Sequence, residues 1–161
     1  MATKSTGVKS RRPSARAAST DEVWSQEERD AIRETARERR AAARVKPGEE
    51  RAAGETAIRA SIDQLPEPDR SVALRVHELV MAAAPALIPR TFYGSPGWEL
   101  NGKTLCYFQA QAKYKARYHT FGSLPEAKLD DGDMWPIAFA IDNLTPTVEA
   151  RITDLVRRAV G

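Results

Sequence analysis

Cysteine occurs once, histidine twice and tryptophan three times in these 161 residues, and each scarcity excludes something. A lone Cys106 rules out an intramolecular disulfide and a cysteine-built zinc cage. Its neighbours in TLCYF are apolar and aromatic, the setting of a buried structural thiol. His77 and His119 alone supply neither a His-rich metal site nor obvious material for a Ser–His–Asp triad. No GxSxG, GxGxxG or Walker pattern is present, so an enzyme is not the favoured reading. The longest apolar run, LVMAAAPALI at 79–88, is interrupted by proline and well short of the ~20 residues a membrane span needs. The Arg11-Arg12 pair is followed by no apolar segment, so neither a secretory nor a twin-arginine signal is expected. The expectation is a cytoplasmic protein with no membrane association.

Charge is unevenly spread. Residues 1–19 carry Lys4, Lys9, Arg11, Arg12 and Arg16 and no acid, a charge of +5 in a chain whose total is +3. The remainder therefore has 25 − 5 = 20 basic against 22 acidic side chains, or −2. Residues 1–20 read as a disordered basic tail with weak, nonspecific affinity for nucleic acid. Residues 21–50 read as a helical extension and linker, and 51–161 as the folded domain.

In the extension, Ser25 followed three residues later by Glu28 is a capping box. The stretch to Arg44 has high helix propensity but a thin apolar stripe of Ile32, Ala36 and Ala43. Such a helix docks loosely. VKPGEERAAG, 45–54, reads as a linker. Ile58, Ser61, Ile62 and Leu65 then share one helical face, ended by Pro66 and Pro68. A helix from Asp69 presents Val72, Val76, Leu79, Val80 and Ala83, and the last helix repeats that spacing with Val148, Ile152, Leu155, Val156 and Ala159. Thr145 is its N-cap and Pro146 its first turn. Between these helices the period becomes 2. Strands are expected at 103–111, 113–121 and 135–141, the last one buried, with shorter ones at RTFY and WEL. Asn101-Gly102 is a hairpin turn. Helices, strands, then a helix give an α+β fold, an antiparallel sheet with helices on one face.

The strand expected at 113–121 places Lys113, Lys115, Arg117, His119 and Phe121 on one face. That stripe is either an anion site or a solvated sheet face. Tyr114 and Tyr118 fall on the opposite face, which leaves single-stranded nucleic acid short of stacking partners. Tyr93, Trp98 and Trp135 sit in or beside Gly/Pro-rich loops; with the basic residues they would line a pocket for a small anionic ligand, or else close the core. Asp130, Asp131 and Asp133, with Glu126 nearby, form either a weak oxygen site for Fe²⁺, Mn²⁺ or Ca²⁺ or an acidic turn. The loop does not have the ligand spacing of an EF-hand. His77 borders the apolar stripe of its helix and is expected to pack or cap.

FYGSPGWELNGKTLCYFQAQAKYKARYHTFG, then LDDGDMWPIAFAI and the closing EARITDLVRRAV, resemble the YdhG-like family of small bacterial domains of unknown function. The shared features are a YG-x-P segment, a GK-x-L-x-YF strand, a basic segment near a glycine and a terminal helix, over about residues 55–161. The resemblance implies a fold frataxin-like in outline. One branch of that family is described as an intracellular iron chaperone. That role would make Asp130, Asp131, Asp133 and Glu126 ligands of weakly held Fe²⁺, with no cofactor required, and an iron-using assembly protein the partner. Monomer and homodimer both remain open.

Overall fold

The computed structural model describes residues 24–161; the basic tail expected at 1–20 lies outside them. Five helices and five strands follow in the order α1 (Gln26–Ala42), α2 (Glu50–Asp63), α3 (Asp69–Ala83), β1 (Ile88–Phe92), β2 (Ser95–Leu100), β3 (Lys103–Gln109), α4 (Gln111–Tyr114), β4 (His119–Ser123), β5 (Ala138–Ile141) and α5 (Pro146–Val160). The strands form one antiparallel meander in sequence order. The class is α+β, as expected. Among the described residues no helix is long and apolar enough to cross a membrane.

The core forms where the period-2 and period-3.6 patterns meet. Trp98, Cys106, Phe108, Phe121 and Ile141 point from the sheet into Ile58 and Ile62 of α2, Val76 and Val80 of α3, and Ile152 and Val156 of α5. A register shift at Trp98/Glu99 leaves Leu105 without a partner across the ladder, and both Leu105 and Cys106 are buried. Burial pushes the Cys106 thiol up to about 12, consistent with a structural cysteine. The caps read from sequence are present: Ser25 and Glu28 exchange both bonds, and Thr145 Oγ1 accepts from Val148 N–H at 3.3 Å.

Several expectations are corrected. The segment 50–54 is the first turn and a half of α2 rather than linker, and Gly54 is there because a Cβ would lie 1.9 Å from the Pro89 carbonyl oxygen. Helix and strand touch backbone to backbone at that point. Tyr93-Gly94 is not an open loop but a two-residue hairpin turn, with φ of +50° and +71°, and Ser95–Leu100 is strand. The segment 135–141 is not a buried strand. Only Ala138–Ile141 pairs, at the sheet edge, and Ile137 is 60% exposed.

The largest correction is 113–121, which is not one strand. The chain turns through α4, passes Lys115 at φ +51°, and resumes pairing only at His119. Side chains capture the amides that a ladder would have used: Gln111 N–H donates to His119 Nδ1 at 3.1 Å and Ala112 N–H to the buried Asp69 carboxylate at 2.8 Å. His119 and Phe121 do share a face, but it is the core face.

His77 is the other buried imidazole. The Trp98 indole N–H, which can only donate, gives its hydrogen to His77 Nδ1 at 3.2 Å. Nδ1 is therefore a lone pair and Nε2 carries the proton, which faces both Glu55 oxygens at 3.0 and 3.1 Å. Desolvation would raise the Glu55 pKa, but hydrogen bonds from His77 and Arg59 outweigh it and the net shift is downward. Burial lowers the His119 pKa against the opposing pull of Asp69.

Both shifts have the same sign in stability: the native state holds fewer protons than the unfolded chain, so stability rises with pH and is lost as pH drops. The His119 part is lost below the ordinary histidine range, about 6.5, and the Glu55 part below the ordinary glutamate range. Urea midpoints measured from pH 8 to 4 should fall across both windows, and His119→Gln should flatten only the upper one. At neutral pH, Trp98→Phe should cost about 1–3 kcal/mol, because His77 Nδ1 is left buried without a donor.

Candidate functional site

A cleft of about 620 Å³ opens between α1, α2 and the β1–β2–β3 end of the sheet. Its α1 wall includes Thr35, Glu38 and Ala42, its α2 wall Ala53, Gly54 and Ala57, and its floor Arg90, Phe92, Glu99 and Thr104. The small residues of α1 and α2 leave the space between the walls unfilled, so a pattern that reads as weak core-forming sequence becomes the lining of a cavity. On the floor, Arg90 Nη2 meets Glu99 Oε1 at 3.0 Å, with both side chains largely buried. Arg90 Nε is buried and has no partner among the described residues. Phe92 stacks on Tyr107, 5.2 Å between centroids, and meets Tyr93 edge-on at 4.7 Å. The floor thus combines aromatic surface with one donor–acceptor pair.

α1 roofs this cleft without a hydrophobic anchor: none of its residues is buried. Its attachment is polar. Glu38 Oε1 accepts the Gly94 N–H at 2.6 Å, Glu34 lies 3.5 Å from Lys113 Nζ, and Glu27 lies 3.8 Å from Lys115 Nζ. Lys113 Nζ also donates to the Tyr93 carbonyl at 3.2 Å. The Tyr93-Gly94 turn is thus the latch: at Gly94 φ is +71°, and a Cβ there would push the Glu34 carboxylate and the Lys113 ammonium group out of place.

The residues singled out from sequence are scattered relative to this cleft. Tyr93 lines it, and Lys113 sits at its rim. Trp98 is fully buried in the core and His119 is buried beneath β4, so neither faces a ligand. Lys115 and Arg117 are exposed on the segment after α4, Arg117 stacking on Tyr118 at 5.4 Å. Trp135 lines a separate groove of about 160 Å³ with Asp131, Phe139, Arg151 and Arg158. Asp130, Asp131 and Asp133 are exposed around Gly132. Glu126 pairs with Lys103 at 3.1 Å, and that hydrogen bond lowers its pKa. Among the described residues, no three His, Cys, Asp or Glu side chains gather closely enough to hold a metal ion. Sequence reading missed Arg90 and Glu99. They stand nine positions apart, and only the β1–β2 register brings them together.

No protein family, no curated protein and no solved structure matches the chain.

The latch generates a direct expectation. Gly94→Ala combines an unfavourable φ with a collision at Glu34, and should loosen α1 while leaving the core intact. Hydrogen exchange should quicken across 26–42 and stay unchanged across 50–63 and 146–160. Raising salt to 0.5 M should move wild type in the same direction, because solvent-exposed ion pairs are screened.

Proposed function

We propose that the chain is a non-catalytic binding protein whose small-molecule ligand occupies the cleft beneath α1. The observation that carries this reading is the Arg90–Glu99 pair on the cleft floor, with Arg90 Nε buried and unpartnered. Leaving such a donor unmet costs about 1–3 kcal/mol, and because the atom has essentially no exposed surface, a ligand acceptor recovers this when the Arg90 side chain shifts to present Nε to the cleft. Glu99 supplies an acceptor beside it, so the matching ligand presents both an acceptor and a donor, as an amide does, on a small apolar or aromatic body. Phe92, Tyr93 and the alanines of α1 and α2 would take the body. Absence of catalysis is consistent with Cys106 being buried and with Nδ1 of each histidine already bonded within the fold.

Membership of the YdhG-like family belongs to the same proposal. The iron handling it would bring has weaker support, since the acidic loop does not converge with other ligands.

A thermal-shift screen of small carboxylates and amides tests the reading, with hits repeated on Ala57→Trp, which fills the cleft, and Arg90→Met, which removes the donor. A ligand at a hundredfold its Kd stabilises by about 2.7 kcal/mol, and both variants should abolish that shift. A hit untouched by either variant, or no hit at all, counts against the cleft. Fe²⁺ belongs in the same screen: a shift lost on changing Asp130, Asp131 and Asp133 to Asn would favour metal handling instead.

A further inference from the structure

The meander leaves β5 at one edge of the sheet, and its outward side is open. Ser123 N–H donates to the Ile137 carbonyl at 2.7 Å, and the register then pairs Phe121 with Phe139 and His119 with Ile141. In an antiparallel ladder, alternate residues turn their backbone groups to opposite sides. Ile137, Phe139 and Ile141 therefore direct theirs to β4, and the N–H and C=O of Ala138 and Ala140 point away from the sheet. Both alanines are exposed, so these backbone groups face solvent. Pro136, next in the same alternation, contributes only a carbonyl.

A seat for a side chain lies beside this edge. Trp135, Pro136, Phe139 and Leu155 line a groove of about 160 Å³ between the edge and α5, room for a single side chain. Its charges are segregated. Arg151 Cζ lies 5.0 Å from the Phe139 centroid, and among the described residues Arg151 has no ion-pair partner. Two turns further along α5, roughly 10 Å, Arg158 pairs with Asp154 at 4.0 Å. Asp131 belongs to that far end, because Lys128 N–H donates to the Ala159 carbonyl at 2.9 Å and brings the chain beside the end of α5. The unpaired guanidinium thus stands over Phe139, level with the open backbone groups. Met134 and Ile137, just before the strand, add exposed apolar surface.

We propose that the β5 edge and this groove bind an extended peptide of another protein, added to the sheet as a further strand. An acidic side chain of the peptide meets Arg151, and an apolar one two positions away enters the groove. Main-chain bonds to Ala138 and Ala140 supply affinity, and side chains at every second position supply selectivity. Acid and apolar residue share a face of the added strand because side chains alternate. The four-residue β5 offers few bonds, which suits a transient complex. The same groups argue against a second copy as the occupant. Two-fold pairing of Ala138 with the copy's Ala140 brings both Phe139 rings to the axis, each beneath an unpaired Arg151. Like charges meet there, whereas a carboxylate completes the pair.

The test is fluorescence anisotropy with the full chain and the labelled peptide Gly-Ser-Thr-Asp-Val-Leu-Val-Thr-Gly-Ser, with Leu also replaced by Phe or by Trp. At least one of these should bind, and its counterpart with Asn for Asp should bind roughly tenfold more weakly. Arg151→Gln should weaken the Asp peptide by a similar factor and leave the Asn peptide within twofold, since both changes remove one pair. Arg151 is exposed, so the fold should survive. Ala138→Pro deletes an outward N–H that β4 does not use and should abolish binding, while Ala57→Trp in the cleft should not alter it. In the unaltered chain, peptide should shift the amide resonances of 137–141 and slow exchange at Ala138 and Ala140, a readout independent of any variant. No binding by any of these peptides, binding indifferent to Arg151→Gln, or amide shifts elsewhere would overturn the proposal. So would a dimer in sedimentation that Ala138→Pro dissociates, which would give the edge to a second copy.

Discussion

The fold turns on one indole nitrogen. Trp98 is fully buried at the centre of β2, and a ring of that size buries its N–H unless something accepts it. His77 of α3 accepts, which fixes the imidazole tautomer and aims the remaining N–H at Glu55 of α2. One chain of hydrogen bonds therefore joins the sheet to two helices and sets their rotation about it. With Glu55 turned inward, the adjacent Gly54 is the residue that meets Pro89, where only hydrogen fits. The next positions on that side, half-buried Ala53 and exposed Ala57, then face the cleft. The position of the cleft wall is thus a consequence of how a buried tryptophan is satisfied.

Local signals were legible in the sequence wherever they had local causes. The capping box at Ser25, Thr145-Pro146, the Asn101-Gly102 turn and the apolar stripe of α5 are decided within about four residues, and each is found as read; the stripe of α3 is found rotated, with Ala73 and His77 buried beside Val76 and Val80 and Leu79 half-buried. The segment 113–118 was not legible because its alternation is among polar residues, which no burial enforces. What decides its course is Asp69, 43 residues away, and His119, which hold the α4 amides. Tyr93 hid a hairpin because a non-glycine residue there adopts φ of +50°. Of the two readings open for Trp98, pocket lining and core closure, the structure takes the second, which the size of the ring favours. Arg90 and Glu99 gave no local signal at all, since cross-strand register alone makes them a pair.

α1 follows different rules from the rest of the chain. Helices α2, α3 and α5 are held by apolar burial, which is insensitive to salt, whereas α1 is held by carboxylates reaching a turn and two lysines. Contacts of that kind are individually weak and screened, so α1 occupies the low-stability end of the molecule. A cleft roofed by such an element can open without disturbing the core. A roof anchored by leucines could not do so at comparable cost.

Lys113 then stands at a junction. Its ammonium group serves the Tyr93 carbonyl at the cleft rim, the Glu34 carboxylate of the roof and the Tyr114 ring of the exposed segment. Turn, roof and exposed segment therefore draw on one charge, and whatever screens it loosens α1 at its latch. The Glu38 contact to the Gly94 N–H does not pass through Lys113. The roof is thus held at the Tyr93-Gly94 turn in two ways, one through a charge that salt screens and one through a hydrogen bond to the turn's own backbone.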